Sequence, residues 1–216
     1  HTPGKTYLAR TDNIARYTAG RFQPKGLAND APPLDEPPFA QPWTSPVLDL
    51  TPPQGPSLLL VTEEDLDPET LLPSGATVAA VHVADAVEQD ADARSLLVQD
   101  FARQALDDAV RRIAVAFPDA VIRRGPIDAE TLAQAALAAG VRTIVTAHAP
   151  IGPTRDRLNA LAPQLAAHGL TLKSLGRPYD ALTWPYGRGG FFGLKKRIPR
   201  LLDQLALRPN AQPALL

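Results

Sequence analysis

The sequence predicts an α/β fold, a Rossmann-like or flavodoxin-like parallel sheet of five strands with helices on both faces. Two observations carry this prediction. Short apolar runs alternate with longer segments in which apolar residues recur at helical spacing, a pattern typical of parallel strands joined by right-handed crossovers. Hydrophobic residues also make up 44% of the 216 residues, so the chain has enough apolar surface to build a full core.

The first strand is predicted at Ser57–Val61, an apolar run of the kind found in strands buried on both faces. Four more strands are predicted, at Thr77–Val83, Ala120–Arg123, Val141–Thr146 and Leu170–Leu175. In the flavodoxin-like order the first strand lies between the second and the fourth. The segment between the first two strands is expected to be short and irregular.

The clearest helix is predicted over residues 94–117, where apolar residues recur at helical spacing until Pro118 ends the pattern. Other helices are predicted from the cap Asp128 to Ala139, from Pro153 or Thr154 to His168, and over Lys196–Leu205. From these patterns we expect seven apolar side chains in the core: Leu59, Val81, Phe101, Leu106, Ile113, Ile144 and Leu161.

The α/β domain is predicted over residues 57–207, with a short helical tail segment and a linker before it. The tail segment covers residues 1–28, is basic, and has a short helix expected at Ile14–Thr18. Residues 29–56 are rich in proline and predict a semi-rigid linker, which Phe39 and Trp43 are expected to pin onto a neighbouring surface. Residues 208–216 are expected to form a flexible tail. The chain contains no methionine and begins with His1, so we expect its natural start to lie upstream.

Composition excludes several kinds of chemistry. Without cysteine the chain offers no disulfide, thiolate nucleophile, zinc–cysteine site or iron–sulfur ligation. The four histidines are too far apart to form a metal-binding pair, and no catalytic triad or carboxylate dyad is evident, so no metal and no catalytic residue is predicted. No apolar run approaches the roughly 20 residues that span a membrane, which predicts a cytoplasmic protein without a membrane partner.

A ligand site, if the domain has one, is expected at the carboxyl ends of the first and fourth strands, where an open α/β sheet reverses its strand order. The residues there are Thr62 and Glu63 after the first strand, and His148 and Arg155 after the fourth. No glycine-rich phosphate loop follows the first strand, and the loop from Thr62 is acidic without an arginine of its own. We therefore expect an empty or weakly occupied crevice.

A second feature is the basic run Gly193–Arg197 beside Phe191 and Phe192. Aromatic and cationic side chains together are typical of single-stranded nucleic-acid binding. The alternative is a helix start that docks its aromatic rings and exposes its lysines. The glycines at 187, 189, 190 and 193 lack dinucleotide-binding spacing and predict flexible backbone.

Several motifs occur in the order in which they occur in the α/β domain of DNA photolyases and cryptochromes. The third strand ends in an Arg-Arg-Gly turn at Val121–Pro126, and Arg155-Asp156 follows the fourth strand. The turn Leu182–Pro185 and the aromatic-basic segment Phe191–Lys196 complete the series. On these residues the chain resembles the photolyase and cryptochrome family.

The opening residues HTPGKTYLARTDNIARYTAGRF resemble the last turns of that family's helical FAD-binding domain. The resemblance implies a parent protein that binds FAD and is either a light-driven deoxyribodipyrimidine photolyase, acting in DNA repair, or a photoreceptor. It also implies that the partner of this chain is the FAD-binding helical domain, and that any contact with DNA is made by the parent protein. Glu63–Leu66 stands where the family has arginines, which argues against an antenna chromophore in that loop.

Two other functions remain open from the sequence. A small nucleotide-binding module of the universal-stress-protein type shares the expected strand order, but AHAPIGPTRD replaces its glycine-rich loop after the fourth strand. A purely structural domain that docks on a partner is the second. By any of these interpretations the chain alone is expected not to be catalytic.

Overall fold

The structure is a computed structural model and describes residues 8–31, 45–84 and 95–207. The chain divides into two compact units, residues 1–44 and 45–216. The first contains helix α1, Thr11–Tyr17, preceded by Arg10, whose guanidinium pairs with Asp12 at 2.8 Å. This helix starts three residues before the predicted Ile14, so Thr11, Asp12 and Asn13 belong to its first turn. Phe39 and Trp43 lie outside the described residues.

The second unit contains a five-stranded sheet in which every strand pair is parallel, with the order β3-β2-β1-β4-β5. The strands are β1 Ser57–Val61, β2 Val78–Ala84, β3 Val121–Gly125, β4 Thr143–Ala147 and β5 Thr171–Leu175. The α/β fold and the central position of β1 between β2 and β4 are therefore confirmed. The first strand has the bounds that were predicted, and the others begin one or two residues later.

Helices cover both faces of this sheet, and two of the three longer ones begin at a side-chain cap. The longer helices are α2 Leu96–Ala116, α3 Ala129–Ala138 and α4 Pro153–Ala167. The Ser95 side chain caps α2, and Asp128 caps α3 by accepting a hydrogen bond from the Thr131 N–H at 2.8 Å. After α3 the chain turns at Gly140 with φ +68°, a conformation that favours glycine.

Alternate residues of the buried strands face opposite sides and build two hydrophobic clusters. Leu58 and Leu60 face α3 and α4, whose buried contributions are Ala129, Leu132, Ala133, Ala136, Leu158, Leu161 and Leu165. Leu59 and Val61 face the opposite side, where they meet Leu106, Ile113 and the segment around Leu71. The connection from β1 to β2 on that side contains only the single 3₁₀ turn Pro68–Thr70.

Six of the seven predicted core residues are buried, and the prediction for Phe101 is wrong. Phe101 is 73% exposed, whereas Ile113 on the same helix is fully buried. The reason is length: a helix of 21 residues extends about 31 Å, and the five-residue β1 spans only about 17 Å. The first turns of α2 therefore extend beyond the sheet.

A buried histidine joins β2 to the turn after β3. His82 is 2% exposed, and its Nε2 lies 3.3 Å from the Gly125 carbonyl oxygen and 3.1 Å from that of Pro126. Burial lowers the pKa of His82, opposed by these two carbonyl contacts, so the ring is neutral near pH 7 and Nε2 carries the donated proton.

The segment after β5 is helical, and the helix predicted at Lys196–Leu205 is confirmed as its last element. Helices also occupy the preceding stretch, where a turn and flexible glycines were predicted. It contains α5 Pro178–Thr183, the 3₁₀ helix Trp184–Gly189, α6 Gly190–Lys195 and α7 Ile198–Gln204. Prolines at the starts of α5, the 3₁₀ helix and α7 carry no N–H, which the first turn of a helix leaves unpaired in any case. The proline-containing sequences that resemble turns therefore mark helix starts in this segment.

The outer edge of β5 is covered by the end of the predicted linker. The Gly176 N–H donates to the Asp49 carbonyl at 2.9 Å, and the Asp49 carboxylate accepts from Lys173 Nζ at 3.0 Å. A Cβ on Gly176 would lie 2.6 Å from the Leu48 Cβ, so only glycine fits there. This contact protects a sheet edge that would otherwise offer unpaired backbone groups.

Candidate functional site

The predicted crevice corresponds to the reversal of strand order, at the carboxyl ends of the paired strands β1 and β4. These strands pair in parallel, with Leu60 opposite Thr146, so Thr62 and His148 both follow at the same edge of the sheet. Thr62 is only 5% exposed, and its carbonyl accepts the Asp65 N–H at 3.2 Å. Its backbone thus turns the chain into the acidic loop.

Arg177, which follows β5, neutralises the start of this acidic loop. Its guanidinium pairs with both oxygens of Asp65 through Nη1 and Nη2, the latter at 3.0 Å from Oδ1. Nη2 also donates to the Asp67 carbonyl at 2.6 Å, and Nε donates to Thr70 Oγ1 at 3.3 Å. The side chains of Arg177 and Asp65 are 24% and 13% exposed, so this bidentate contact is largely sheltered from water.

A second arginine, Arg112 of α2, holds the far end of the same loop. It pairs with Glu69 and donates to the Leu66 carbonyl. Its Nε also donates to Asp108 Oδ2 at 3.1 Å. The loop itself contains no compensating arginine, and both arginines that pair with it come from distant elements. No local signal in the sequence identifies them as partners.

At the crevice the N-terminus of α4 meets a carboxylate. Thr154, in the first turn of that helix, donates from Oγ1 to Glu64 Oε1 at 3.4 Å. The positive end of a helix dipole is where a phosphate usually binds in open α/β sheets. Here Glu64 approaches that position, so a phosphate would meet a like charge. The arrangement disfavours nucleotides and other phosphate-rich ligands.

His148 is the most distinctive side chain of the crevice. Its backbone N–H donates to the Leu175 carbonyl at 2.7 Å, and its ring packs edge-on against Trp184 with centroids 5.7 Å apart. Burial and the positive charge of Arg155 lower the pKa of His148, while Asp180 opposes them. The ring is therefore neutral at pH 7. Its buried Nε2 has no hydrogen-bond partner among the described residues.

Three of the four predicted residues, Thr62, Glu63 and His148, lie on the loops that follow β1 and β4. Arg155 lies instead in the first turn of α4, from where its positive charge lowers the pKa of His148. Trp184 was missed as a site residue, because the Trp-Pro pair was interpreted as a turn. Its position after β5 is the signal that could have found it, since carboxyl ends of neighbouring parallel strands meet at one edge. The groups available at this site are the neutral imidazole of His148, the aromatic ring of Trp184 and carboxylates such as that of Glu64.

We expect the pKa of the His148 imidazole to lie below 6.5, the ordinary value for histidine, as measured by NMR of the ring protons. Arg155→Gln should raise this pKa because it removes a positive charge, and Asp180→Asn should lower it further. Arg157→Gln, the same charge change two residues along α4, serves as the control and should shift it less. The stability contributed by neutral His148 is present above pH 6.5 and is lost as pH falls below it. A His148 pKa at or above 6.5 would contradict this picture.

Within residues 8–31, 45–84 and 95–207, no group of three or more His, Asp or Glu side chains is placed to hold a metal ion. In the same ranges no helix has the length and apolar character needed to cross a membrane. In comparisons with known proteins, no family model, no curated protein and no solved structure matches this chain.

Proposed function

We propose that this chain provides the α/β domain of a photolyase- or cryptochrome-like flavoprotein, and that it acts by docking against the FAD-binding helical domain of the same protein. In this proposal the flavin-binding part carries the activity, which is either light-driven repair of pyrimidine dimers in DNA or light sensing. The proposal rests on the resemblance of the motifs along the chain and on one surface of the α/β domain.

That surface is an apolar stripe on the first turns of α2, and it is the observation that carries the docking role. It consists of Leu96, Leu97, Val98 and Phe101, which are 80%, 81%, 47% and 73% exposed. Leu97 and Phe101 are four residues apart and so lie on one face of the helix. Large apolar side chains grouped in this way on a soluble domain mark a surface that another protein part covers.

The crevice also supports the docking role, because its charges disfavour phosphate-bearing ligands. Glu64, which approaches the start of α4, opposes a phosphate. In the same loop Asp65 and Glu69 are already paired with Arg177 and Arg112. An antenna pigment with a phosphate, or a nucleotide of the kind bound by universal-stress-type modules, would have to displace these contacts. A packing role for the domain needs no such rearrangement.

Purified alone, the chain is expected to bind no flavin, because only residues 1–28 resemble the FAD-binding domain. The visible absorbance and fluorescence of the purified protein after incubation with FAD measure this directly. Titration with FMN, a deazaflavin and a folate tests the crevice, with His148→Ala as the variant. Stoichiometric flavin on the chain, or tight binding of any one pigment that His148→Ala abolishes, would contradict the assignment.

The docking role is tested by mixing the chain with the FAD-binding domain of the same protein, produced separately. Leu97→Ser with Phe101→Ser should weaken association by about tenfold or more, as expected when buried apolar anchors are lost. Val115→Ser is the matched control, since Val115 is 83% exposed on the last turns of the same helix. A reading frame without FAD-binding sequence before His1 would overturn the proposal.

A further inference from the structure

The segment that follows Trp184 carries two exposed aromatic rings side by side. Phe191 and Phe192, on α6, are 65% and 78% exposed, and their rings meet edge to face with centroids 5.6 Å apart. The alternative of a helix start that docks its aromatic rings is therefore wrong within this chain. The rings cover each other only in part and leave most of their surface to solvent.

The same segment is strongly basic. Between Ala181 and Leu202 the sequence has five basic residues and no acid. Lys195, Lys196 and Arg200 are exposed, and Arg197 lies over the Tyr186 ring at 5.4 Å from its centroid. None of the ion pairs among the described residues involves Lys195, Lys196 or Arg200. We call these two phenylalanines and four cationic residues the aromatic-basic patch.

Helical spacing places rings and charges together in this patch. Lys195 is four residues after Phe191 and three after Phe192, so its side chain shares their side of α6. From Gly187 to Leu202 every residue is glycine, proline, apolar or cationic. The patch therefore offers apolar contact and positive charge, with no neutral polar side chain that could read a hydrogen-bonding pattern.

We propose that the aromatic-basic patch binds the surface of an anionic lipid bilayer, with the two phenylalanine rings at the boundary between headgroups and acyl chains. Exposed aromatic rings and clustered Lys and Arg are the two components of such peripheral binding. Single-stranded nucleic acid uses the same residue types, but successive bases stack on open ring faces. In the patch one ring presents its edge to the face of the other, an arrangement that suits the lipid interface better than parallel bases.

This binding differs from the sequence prediction of no membrane partner, because that prediction rested on the absence of a spanning segment. A peripheral contact needs only a small apolar area and a basic surface. The patch is separate from the stripe on α2, and its lipid binding does not depend on the proposed flavoprotein role.

The test is flotation of the full chain with vesicles of phosphatidylcholine alone and of phosphatidylcholine with about one third phosphatidylserine, a composition chosen for its negative surface potential. Binding should be at least about tenfold stronger to the anionic vesicles and should fall with added salt. Lys195→Gln with Lys196→Gln should weaken it by about 25-fold, since each lysine near an anionic surface contributes about fivefold. Phe191→Ser with Phe192→Ser should weaken it by about tenfold or more.

Two matched control variants test whether lipid binding depends on the patch itself or on total charge and exposed apolar surface elsewhere. Arg103→Gln with Arg111→Gln removes two exposed charges from α2, and Leu97→Ser with Phe101→Ser removes two exposed apolar side chains there. Both variants should keep lipid binding within about twofold, because their positions lie outside the patch. Circular dichroism confirms that each variant is folded.

Three results would overturn the proposal. The first is equal or no binding to the two vesicle types. The second is lipid binding that the patch variants leave unchanged. The third is tighter binding to a single-stranded oligonucleotide, lost in the same variants and competing with vesicles, which would assign the patch to nucleic acid.

Discussion

Ile113→Ala is expected to lower the free energy of unfolding by about 2–5 kcal/mol, as is usual when a buried aliphatic side chain is truncated and leaves a cavity. Ile113 is fully buried between α2 and the sheet. Phe101→Ala, twelve residues earlier on the same helix, should change it by no more than about 0.5 kcal/mol, because the ring is 73% exposed.

Urea or thermal unfolding followed by circular dichroism measures both variants. The two substitutions form a matched pair, since each replaces a large apolar residue of α2 with a good helix former. If Phe101→Ala proved as costly as Ile113→Ala, the first turns of α2 would have to be packed against another part of the chain. A cost below about 1 kcal/mol for Ile113→Ala would contradict the placement of α2.

Arg177→Gln is expected to cost about 2–3 kcal/mol, the second largest effect, because it leaves the sheltered Asp65 carboxylate without its bidentate partner. Asp65 is 13% exposed, and Arg177 also binds the Asp67 carbonyl and Thr70. The loss should loosen the whole connection between β1 and β2, since that segment has only one 3₁₀ turn of its own.

A double-mutant cycle with Asp65→Asn isolates this interaction, and we expect a coupling energy of at least about 1 kcal/mol. The pair Arg111 and Asp108 is the control. Its side chains are 69% and 55% exposed, and water and salt screen such pairs, so the same cycle there should yield a clearly smaller coupling energy. Equal coupling energies for the two pairs would show that Asp65 is not sheltered.

Both functional proposals concern surfaces outside the strands and can fail independently. The stripe on α2 should lose its exposure only when the helical domain is present, whereas the aromatic-basic patch should bind lipid with the chain alone. If the helical domain protected both surfaces, the aromatic-basic patch could bind lipid only before the two domains assemble.

The sheet could be predicted from sequence because each element signals itself locally. Ser57–Val61 is uniformly apolar and buried at all five positions, as expected of a central strand, and crossover geometry leaves few orders for five parallel strands. Caps and stops such as Asp128 and Gly140 also act over one helical turn. For the same reason the carboxyl ends of β1 and β4 could be placed side by side in advance.

Only the tertiary structure decided what depends on distance between elements. Periodicity in α2 could not reveal that Phe101 lies beyond the end of the sheet while Ile113 lies under it. The acidic loop looked uncompensated because Arg177 is 112 residues from Asp65 along the chain. His148 and Trp184 meet because they follow β4 and β5, which pair in parallel. Helical periodicity and residue type act locally, whereas ion pairs, ring contacts and the overhang of a helix arise only when the crossovers bring distant segments together.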